Sequence, residues 1–245
     1  MLKFLRRIRA SAIIHSKGGK YLIYAFGEIL LIVIGILIAL QVNNWNLNRE
    51  NLNKSIDYHQ RMIDDLDHTI SFLNSVFDFS DQVQNNIVEA VEILKKGVYS
   101  EENKKILDDA LVSFFRLSRN LPELTTYKEM ESSGQLGLIY NTSLRKEIAD
   151  YLITWNLVST VSEDLNEKVN EMEFIDPYLK FGKESSFRET VVEYDFNDLA
   201  TDKRVINTLS RYGFHWKTKS SFSKSLAEEA SQLKSLIEQE LIRLK

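Results

Sequence analysis

The sequence contains no cysteine, and its 245 residues include only two prolines and nine glycines. Without cysteine the chain forms no disulfides and offers no thiolate ligands to a metal. Proline and glycine most often interrupt helices, so their scarcity favours long, uninterrupted helices. Acidic residues are missing from the N-terminus, where six basic residues come before Glu28, the first acidic one. The sequence thus predicts a helical protein with a chemically distinct N-terminus.

An apolar run occupies residues 21–42, in which Glu28 is the one charged residue. A helix of about 20 residues crosses a hydrocarbon core of roughly 30 Å. We therefore predict a transmembrane helix over residues 21–42, preceded by a basic tail at 1–20 and followed by a helical domain at 43–245. A cleaved signal peptide is disfavoured, because the run is long and continues into QVNNWNLNR without a small-residue cleavage site.

Basic residues indicate the orientation of this helix. All six that precede the run lie at one end, and the first one after it is Arg49. Because basic flanks of a span stay in the cytoplasm, we predict a cytoplasmic N-terminus and an exported C-terminal domain. The residues expected to anchor the chain in the membrane are Arg6, Arg7, Arg9, Lys17, Lys20 and Trp45.

The predicted domain at residues 43–245 is acidic. It carries 25 basic and 34 acidic residues, a net charge of −9. This balance argues against nucleic acid or anionic lipid as its partner. About 200 residues suffice for one sizeable domain with its own core.

Apolar residues spaced three and four apart predict several amphipathic helices. The first runs from the membrane to about Phe79. A second apolar stripe begins at Val83 and stops at Gly97, and a third helix opens at Ser100 and ends before Pro122.

The second half of the chain continues this pattern with one exception. Thr125 or Thr126 is expected to cap a short helix that Gly134 ends, and Asn141 or Thr142 opens a long one. Residues 176–197 lose the helical period, and TVVEY within them suits a short strand or an extended segment. Two further helices are predicted at about residues 198–211 and 221–244.

The fold class is therefore all-α: an N-terminal transmembrane helix that continues into a bundle of long amphipathic helices. The first and last long helices both keep nearly heptad stripes. Two arrangements remain open for them, an antiparallel pair within the chain and a parallel coiled coil between subunits.

Two sequence blocks resemble a known family. They are GKYLIYAFGEILLIVIGILIALQVNNWN across the apolar run, with RRIR before it, and TTYKEMESSGQLGLIYNTSLRKEIADY in the middle. Both are similar to uncharacterised membrane proteins of Bacteroidota, known only as a domain of unknown function, over most of the chain. The resemblance implies a bacterial inner membrane, and hence a periplasmic domain. It implies no activity, cofactor or catalytic residue.

The predicted span contains four residues that suit contacts within the membrane. Glu28 carries a carboxylate, which is costly in hydrocarbon and commonly marks an ion path or a polar partner, unless it lies near the inner headgroups. Gly27, Gly35 and Ala39 lie on nearly one face, and the last two fit the small-x-x-x-small pattern of helix contacts.

The helix after the membrane is rich in acidic residues, which raises the question of a metal. Asp64 and His68 lie one turn apart and could both reach a divalent ion, but a zinc site usually needs three or four ligands. Arg61 stands one turn from both Asp57 and Asp65, which favours a salt-bridged, solvated face. No metal site is predicted.

Two other polar features favour structural roles. His59 lies on the apolar stripe and is predicted to be a core or seam residue rather than a metal ligand. Ser132 and Ser133 precede Gly134 without a base, an orienting acid or a G-x-S-x-G elbow, so they are predicted to form a helix C-terminal turn. No catalytic residue and no cofactor site is predicted.

The predicted function is therefore interaction without catalysis. The chain is expected to act as a scaffold, sensor or accessory subunit of a membrane assembly, with the lipid bilayer and another membrane protein or a second copy as partners, and no nucleic acid. The alternatives are an ion-coupled subunit that uses Glu28 and a membrane-anchored enzyme.

Overall fold

The structure is a computed structural model that describes residues 17–113, 121–170, 177–182 and 191–245. Within these residues the chain is almost entirely helical, which confirms the all-α class. The elements are α1 (Lys17–Lys96), α2 (Glu101–Val112), α3 (Thr125–Ser132), a 3-10 turn (Leu136–Leu138), α4 (Thr142–Asn170), β1 (Lys180–Phe181), β2 (Val192–Glu193), α5 (Phe196–Thr201) and α6 (Lys203–Leu244).

Helix α1 is 80 residues long. The predicted end near Phe79 is wrong, because α1 continues without a break to Lys96. No glycine or proline occurs between Gly35 and Gly97, so nothing in the backbone forces an interruption. Gly97 ends the helix as predicted: its φ is 65°, and its N–H donates to the Ile93 and Leu94 carbonyls at 3.2 and 3.1 Å.

Helix α2 begins as predicted. The Ser100 side chain accepts a hydrogen bond from the Asn103 N–H at 3.2 Å, which is the N-cap contact. The apolar spacing of this helix predicts a buried face with Ile106, Ala110, Leu111, Phe114 and Leu117; of these, Ala110 and Leu111 are buried and Ile106 is half-buried. The rest of that prediction, including Phe114 and Leu117, lies outside the described residues.

The C-terminal helices differ from the prediction. Instead of helices at 198–211 and 221–244, there is a short α5, and then α6 runs unbroken from Lys203. The Asp202 carboxylate accepts from the Arg204 N–H at 2.8 Å and so starts α6. Gly213 lies inside this helix because α1 packs closely there: a Cβ on it would lie 3.0 Å from Ile87 Cγ2.

The region predicted to lose the helical period contains two short strands. They pair antiparallel, with Lys180 opposite Glu193 and Phe181 opposite Val192. For TVVEY the sequence predicts a short strand or an extended segment, and Val192–Glu193 within it forms strand β2. Thr190 lies outside the described residues.

The chain divides into two compact units, residues 1–55 and 56–245. In the second unit, α1 and α6 pack antiparallel. Lys234 Nζ lies 2.6 Å from Asp67 Oδ1, Lys224 Nζ lies 5.5 Å from the Phe77 ring centroid, and the Phe79 and Trp216 rings are 5.6 Å apart. Partner numbers fall along α6 as they rise along α1, so the antiparallel arrangement within the chain is confirmed.

The second unit has two hydrophobic cores. The first core joins α1, α3, α4 and the C-terminal part of α6; its fully buried side chains include Leu66, Leu73, Met130, Ile139, Ile148 and Leu226. The second core joins α1, α2, the strands, α5 and the N-terminal part of α6; its fully buried side chains include Ile87, Leu94, Leu107, Leu111, Leu199 and Leu209. Burial of these stripes, at about 25 cal/mol per Å² of apolar surface, is the main stabilising contribution.

Candidate functional site

The apolar part of α1 is long and apolar enough to cross a membrane. Its most apolar window of 18 residues has a mean hydropathy of 2.6, and none of that window is buried by the residues that the structure describes. A helix that is apolar all round and uncovered by protein is typical of a membrane span. By length and composition alone, the part of the chain that the structure describes contains one such helix.

The predicted contact residues of the span are little covered by the residues that the structure describes. Glu28, Gly35 and Ala39 are exposed and Gly27 is half-buried. A Cβ built on Gly27 or Gly35 would meet nothing within 4 Å. This face of α1 is therefore open.

The predicted anchoring residues are described only in part. Trp45 is exposed, and Arg49 Cζ lies 6.0 Å from its ring centroid, a cation–π arrangement one turn beyond the apolar run. Lys17 and Lys20 belong to α1, but their side chains lie outside the described residues. Arg6, Arg7 and Arg9 lie outside them altogether.

The middle sequence block docks α3 onto α1, and the predicted cap of α3 is wrong. Neither Thr125 nor Thr126 caps it with its own side chain. Instead Asp65 of α1 accepts from the Thr126 N–H at 2.8 Å and from the Thr125 hydroxyl at 3.1 Å. A carboxylate at a helix N-terminus satisfies free N–H groups and favours the helix dipole, even when it comes from another helix.

Two further side chains of α1 hold the same block. Arg61 forms an ion pair with Glu129 and lies 3.8 Å from Asp57. The Tyr58 hydroxyl donates to Gln135 Oε1 at 2.8 Å. The hydrogen bond from Arg61 lowers the pKa of the Glu129 carboxyl. Tyr58, Arg61 and Asp65 occupy one face of α1, so this polar face joins helices rather than facing only solvent.

The serines of the block close α3, as predicted. Gly134 has a φ of 69°, and the Gln135 N–H donates to the Met130 carbonyl at 2.8 Å, a Schellman ending. The Ser132 and Ser133 hydroxyls donate to the Glu129 carbonyl at 3.0 and 2.7 Å. These contacts give both serines a structural role in the turn. Asn141 then caps α4, because its Oδ1 accepts from the Ser143 N–H at 3.1 Å.

Replacing Asp65 by alanine is expected to lower the free energy of unfolding by about 1 to 2 kcal/mol, because α3 loses its N-terminal acceptor. Urea unfolding of the full chain in detergent, followed by circular dichroism, measures the change. Asp64→Ala is the matched control, since Asp64 is exposed on the adjacent position of α1. Equal losses in the two variants would contradict the docking role of Asp65.

The acidic stretch of α1 does not converge on a metal. Within the described ranges no group of three or more histidine, aspartate or glutamate side chains is placed to hold an ion. Asp65 binds α3 and Asp67 pairs with Lys234. His59 is fully buried, which confirms its predicted place in the core.

A shallow cavity of about 390 Å³ lies at the start of α6, lined by Tyr178, Asp198, Thr201 and Asp202. Asp202 is engaged by Arg204 and by the Tyr178 hydroxyl, and the hydrogen bond from Arg204 holds the pKa of its carboxyl well below its usual range. The Thr201 hydroxyl donates to the Asn197 carbonyl at 2.7 Å. The polar groups of this cavity thus serve the ends of α5 and α6.

One polar feature escaped the sequence analysis. Lys219 of α6 is only 4% exposed, and Ser80, Ser220 and Ser223 are buried at the same level of the second unit. Together they form a polar layer between the two cores. Its signal is the polar run KTKSS within an apolar stripe, most of which falls between the two helices predicted at about residues 198–211 and 221–244.

These features define a class: a helical protein that has, in its described ranges, one helix long and apolar enough to span a membrane. Residues 28–209 match the model of a family of unknown function, DUF6090. This match covers more than half of the chain, which therefore belongs to that family. No curated protein and no solved structure matches the chain.

Proposed function

We propose that this protein is a single-span protein of a bacterial inner membrane that acts by binding. Residues 1–20 lie in the cytoplasm, 21–42 span the bilayer and 43–245 form the periplasmic helical domain. The observation that carries the proposal is the apolar window of α1, none of which is buried by other described parts of the chain. Exposing so large an apolar surface to water is unfavourable, so lipid or another span covers it.

The charge pattern supports the orientation. Six basic residues precede the span, and Glu28 is the first acidic residue of the chain. Trp45, whose ring lies under the Arg49 guanidinium, follows the apolar run. An aromatic residue at this position is typical of the headgroup level on the periplasmic side of the bilayer.

The polar residues of the domain support binding over catalysis. The middle block, which is the most distinctive pattern outside the span, uses its polar groups to join α3 to α1. In the shallow cavity at the start of α6, the Tyr178 hydroxyl and the Arg204 N–H both donate to Asp202, which lies between α5 and α6. On the face of α1 with Gly27, Gly35 and Ala39, a Cβ built on either glycine meets nothing within 4 Å. We assign to this face the contact with another membrane protein or a second copy, because small residues let two helices approach closely.

The absence of cysteine makes this contact directly testable. Single cysteines at Leu31 and Ala39 on the proposed face, or at Val33 and Leu37 on the opposite face, are coupled to a benzophenone maleimide in native membranes and irradiated. We expect protein adducts from Leu31→Cys and Ala39→Cys only. An adduct of twice the chain mass identifies a second copy, and any other mass identifies a different protein.

The opposite-face cysteines are the matched controls, because they lie at the same depth in the bilayer. Adducts to lipid alone from all four positions, or equal protein adducts from both faces, would contradict the proposed contact.

A further inference from the structure

Two charged side chains, Lys219 and Glu240, are buried in the part of the chain that the structure describes, and only one has a charged or hydrogen-bonding partner. The Glu240 carboxylate accepts from Asn141 Nδ2 at 2.9 Å and from Arg243 Nη1 at 3.0 Å. The described contact of Lys219 is the Trp216 ring, whose centroid lies 5.3 Å from Nζ. Buried charges are normally paired, so Lys219 requires an explanation.

Among the described residues, the two buried side chains that come next after Lys219 on α6 are polar but uncharged. The first core begins on α6 at Leu226, and the second core ends on it at Trp216. Between them lie Ser220 and Ser223, which are 5% and 1% exposed. The polar layer therefore offers hydroxyl groups to Lys219, and these cannot balance its charge.

Ser80 of α1 lies at the same level. Close contacts between Phe79 and Trp216 and between Phe77 and Lys224 set the register of α1 against α6. Ser80 lies between Phe77, which is close to Lys224, and Ile87, which is close to Gly213. It therefore falls at the level of the stretch of α6 that contains Lys219 and Ser220. Ser80 Oγ is fully buried and has no hydrogen-bond partner in the described part of the chain. The layer thus brings together an ammonium group and a buried hydroxyl that are both able to donate.

The protonated state of Lys219 matters for what this layer does. Burial lowers the pKa of its ammonium to about 8, so the side chain remains largely charged at neutral pH. A cation–π contact offsets only part of the cost of taking an ammonium group out of water. An acceptor that carries one negative charge would offset the remainder.

We propose that the polar layer binds a monovalent anion of chloride's size, held by the Lys219 ammonium and the Ser80 hydroxyl. A single negative charge neutralises the single positive one, whereas a divalent oxyanion would leave an excess charge between two apolar cores. Buried apolar side chains lie on both sides of the layer along α6, Trp216 on one side and Leu226 on the other, which favours a small, spherical ion. The inference does not depend on the membrane contact proposed above.

The test uses the full chain in detergent, with chloride replacing gluconate at constant ionic strength. We expect chloride to raise the midpoint of thermal unfolding by about 5 °C near saturation, because it binds only the folded state. Line broadening in chlorine NMR reports binding directly. Lys219→Met should lose both effects, and Ser80→Ala should weaken them.

Lys217→Met is the matched control, because Lys217 is exposed on the same helix two residues away. It should keep the chloride response of the original chain. Sulfate at the same ionic strength distinguishes specific chloride binding from general salting-out, because salting-out stabilises every variant alike. An equal chloride response in the original chain and Lys219→Met, or no excess line width over Lys219→Met, would overturn the proposal.

Discussion

Replacing Val33 and Leu37 together by arginine is expected to remove the protein from the membrane fraction. Both residues lie near the middle of the apolar run and are exposed. An arginine at the centre of a span costs about 2.5 to 3.5 kcal/mol on insertion scales, so two cost roughly 6 kcal/mol. That amount offsets most of the favourable transfer of a single span. Carbonate extraction followed by immunoblotting measures the fraction that remains membrane-bound.

The control for this variant places the same charges at the ends of the run. Leu22→Arg with Val42→Arg adds two arginines where their side chains can reach the headgroups, at little cost. This variant should stay in the carbonate-resistant pellet. If the central variant stays there too, or if the original chain is released by carbonate, α1 does not span the bilayer as proposed.

The sequence predicted the helices of this protein better than their ends. Scarcity of glycine and proline indicated long helices, and Ser100, Asn141, Gly97 and Gly134 marked true boundaries, because caps depend on residues a few positions apart. The two wrong breaks, near Phe79 and between α6 residues 211 and 221, have one cause. Each lies where the polar layer interrupts an apolar stripe. The backbone hydrogen bonds of a helix continue through such a layer. The helix therefore continues where the apolar pattern is interrupted.

Contacts between residues that are distant along the chain could not be predicted from the sequence. Asp65 caps α3 from 60 positions away, and no local pattern indicates which acidic residue of α1 does so. In the same way the sequence showed the charge of Lys219 but not its burial, which depends on two cores that meet at one level of α6. The span residues were predictable, since a membrane helix depends on composition over consecutive positions.

Replacing Lys219 by methionine is expected to stabilise the domain. Its pKa falls from 10.5 to about 8 on folding, which corresponds to about 3 kcal/mol of unfavourable burial of the charged form at neutral pH. Methionine has a similar length and no charge, and loss of the Trp216 contact reduces the gain to roughly 2 kcal/mol. Urea unfolding of the full chain in chloride-free buffer measures it. Lys217→Met should change stability by less than about 0.5 kcal/mol.

The stabilities of the original chain and of the Lys219→Met variant should also respond differently to alkaline pH. Between about pH 8 and pH 10.5 the unfolded chain keeps the proton on Lys219 while the folded chain has lost it. Because the unfolded state then binds more protons, the stability of the original chain rises through this window, and that of Lys219→Met lacks the rise. Burial raises the pKa of Tyr151 and Tyr212, which lowers stability above about pH 10 in both chains and cancels in their difference. The stability gap should therefore narrow from neutral pH to pH 10.5, and a constant gap would show that Lys219 meets water or a counter-charge in the folded protein.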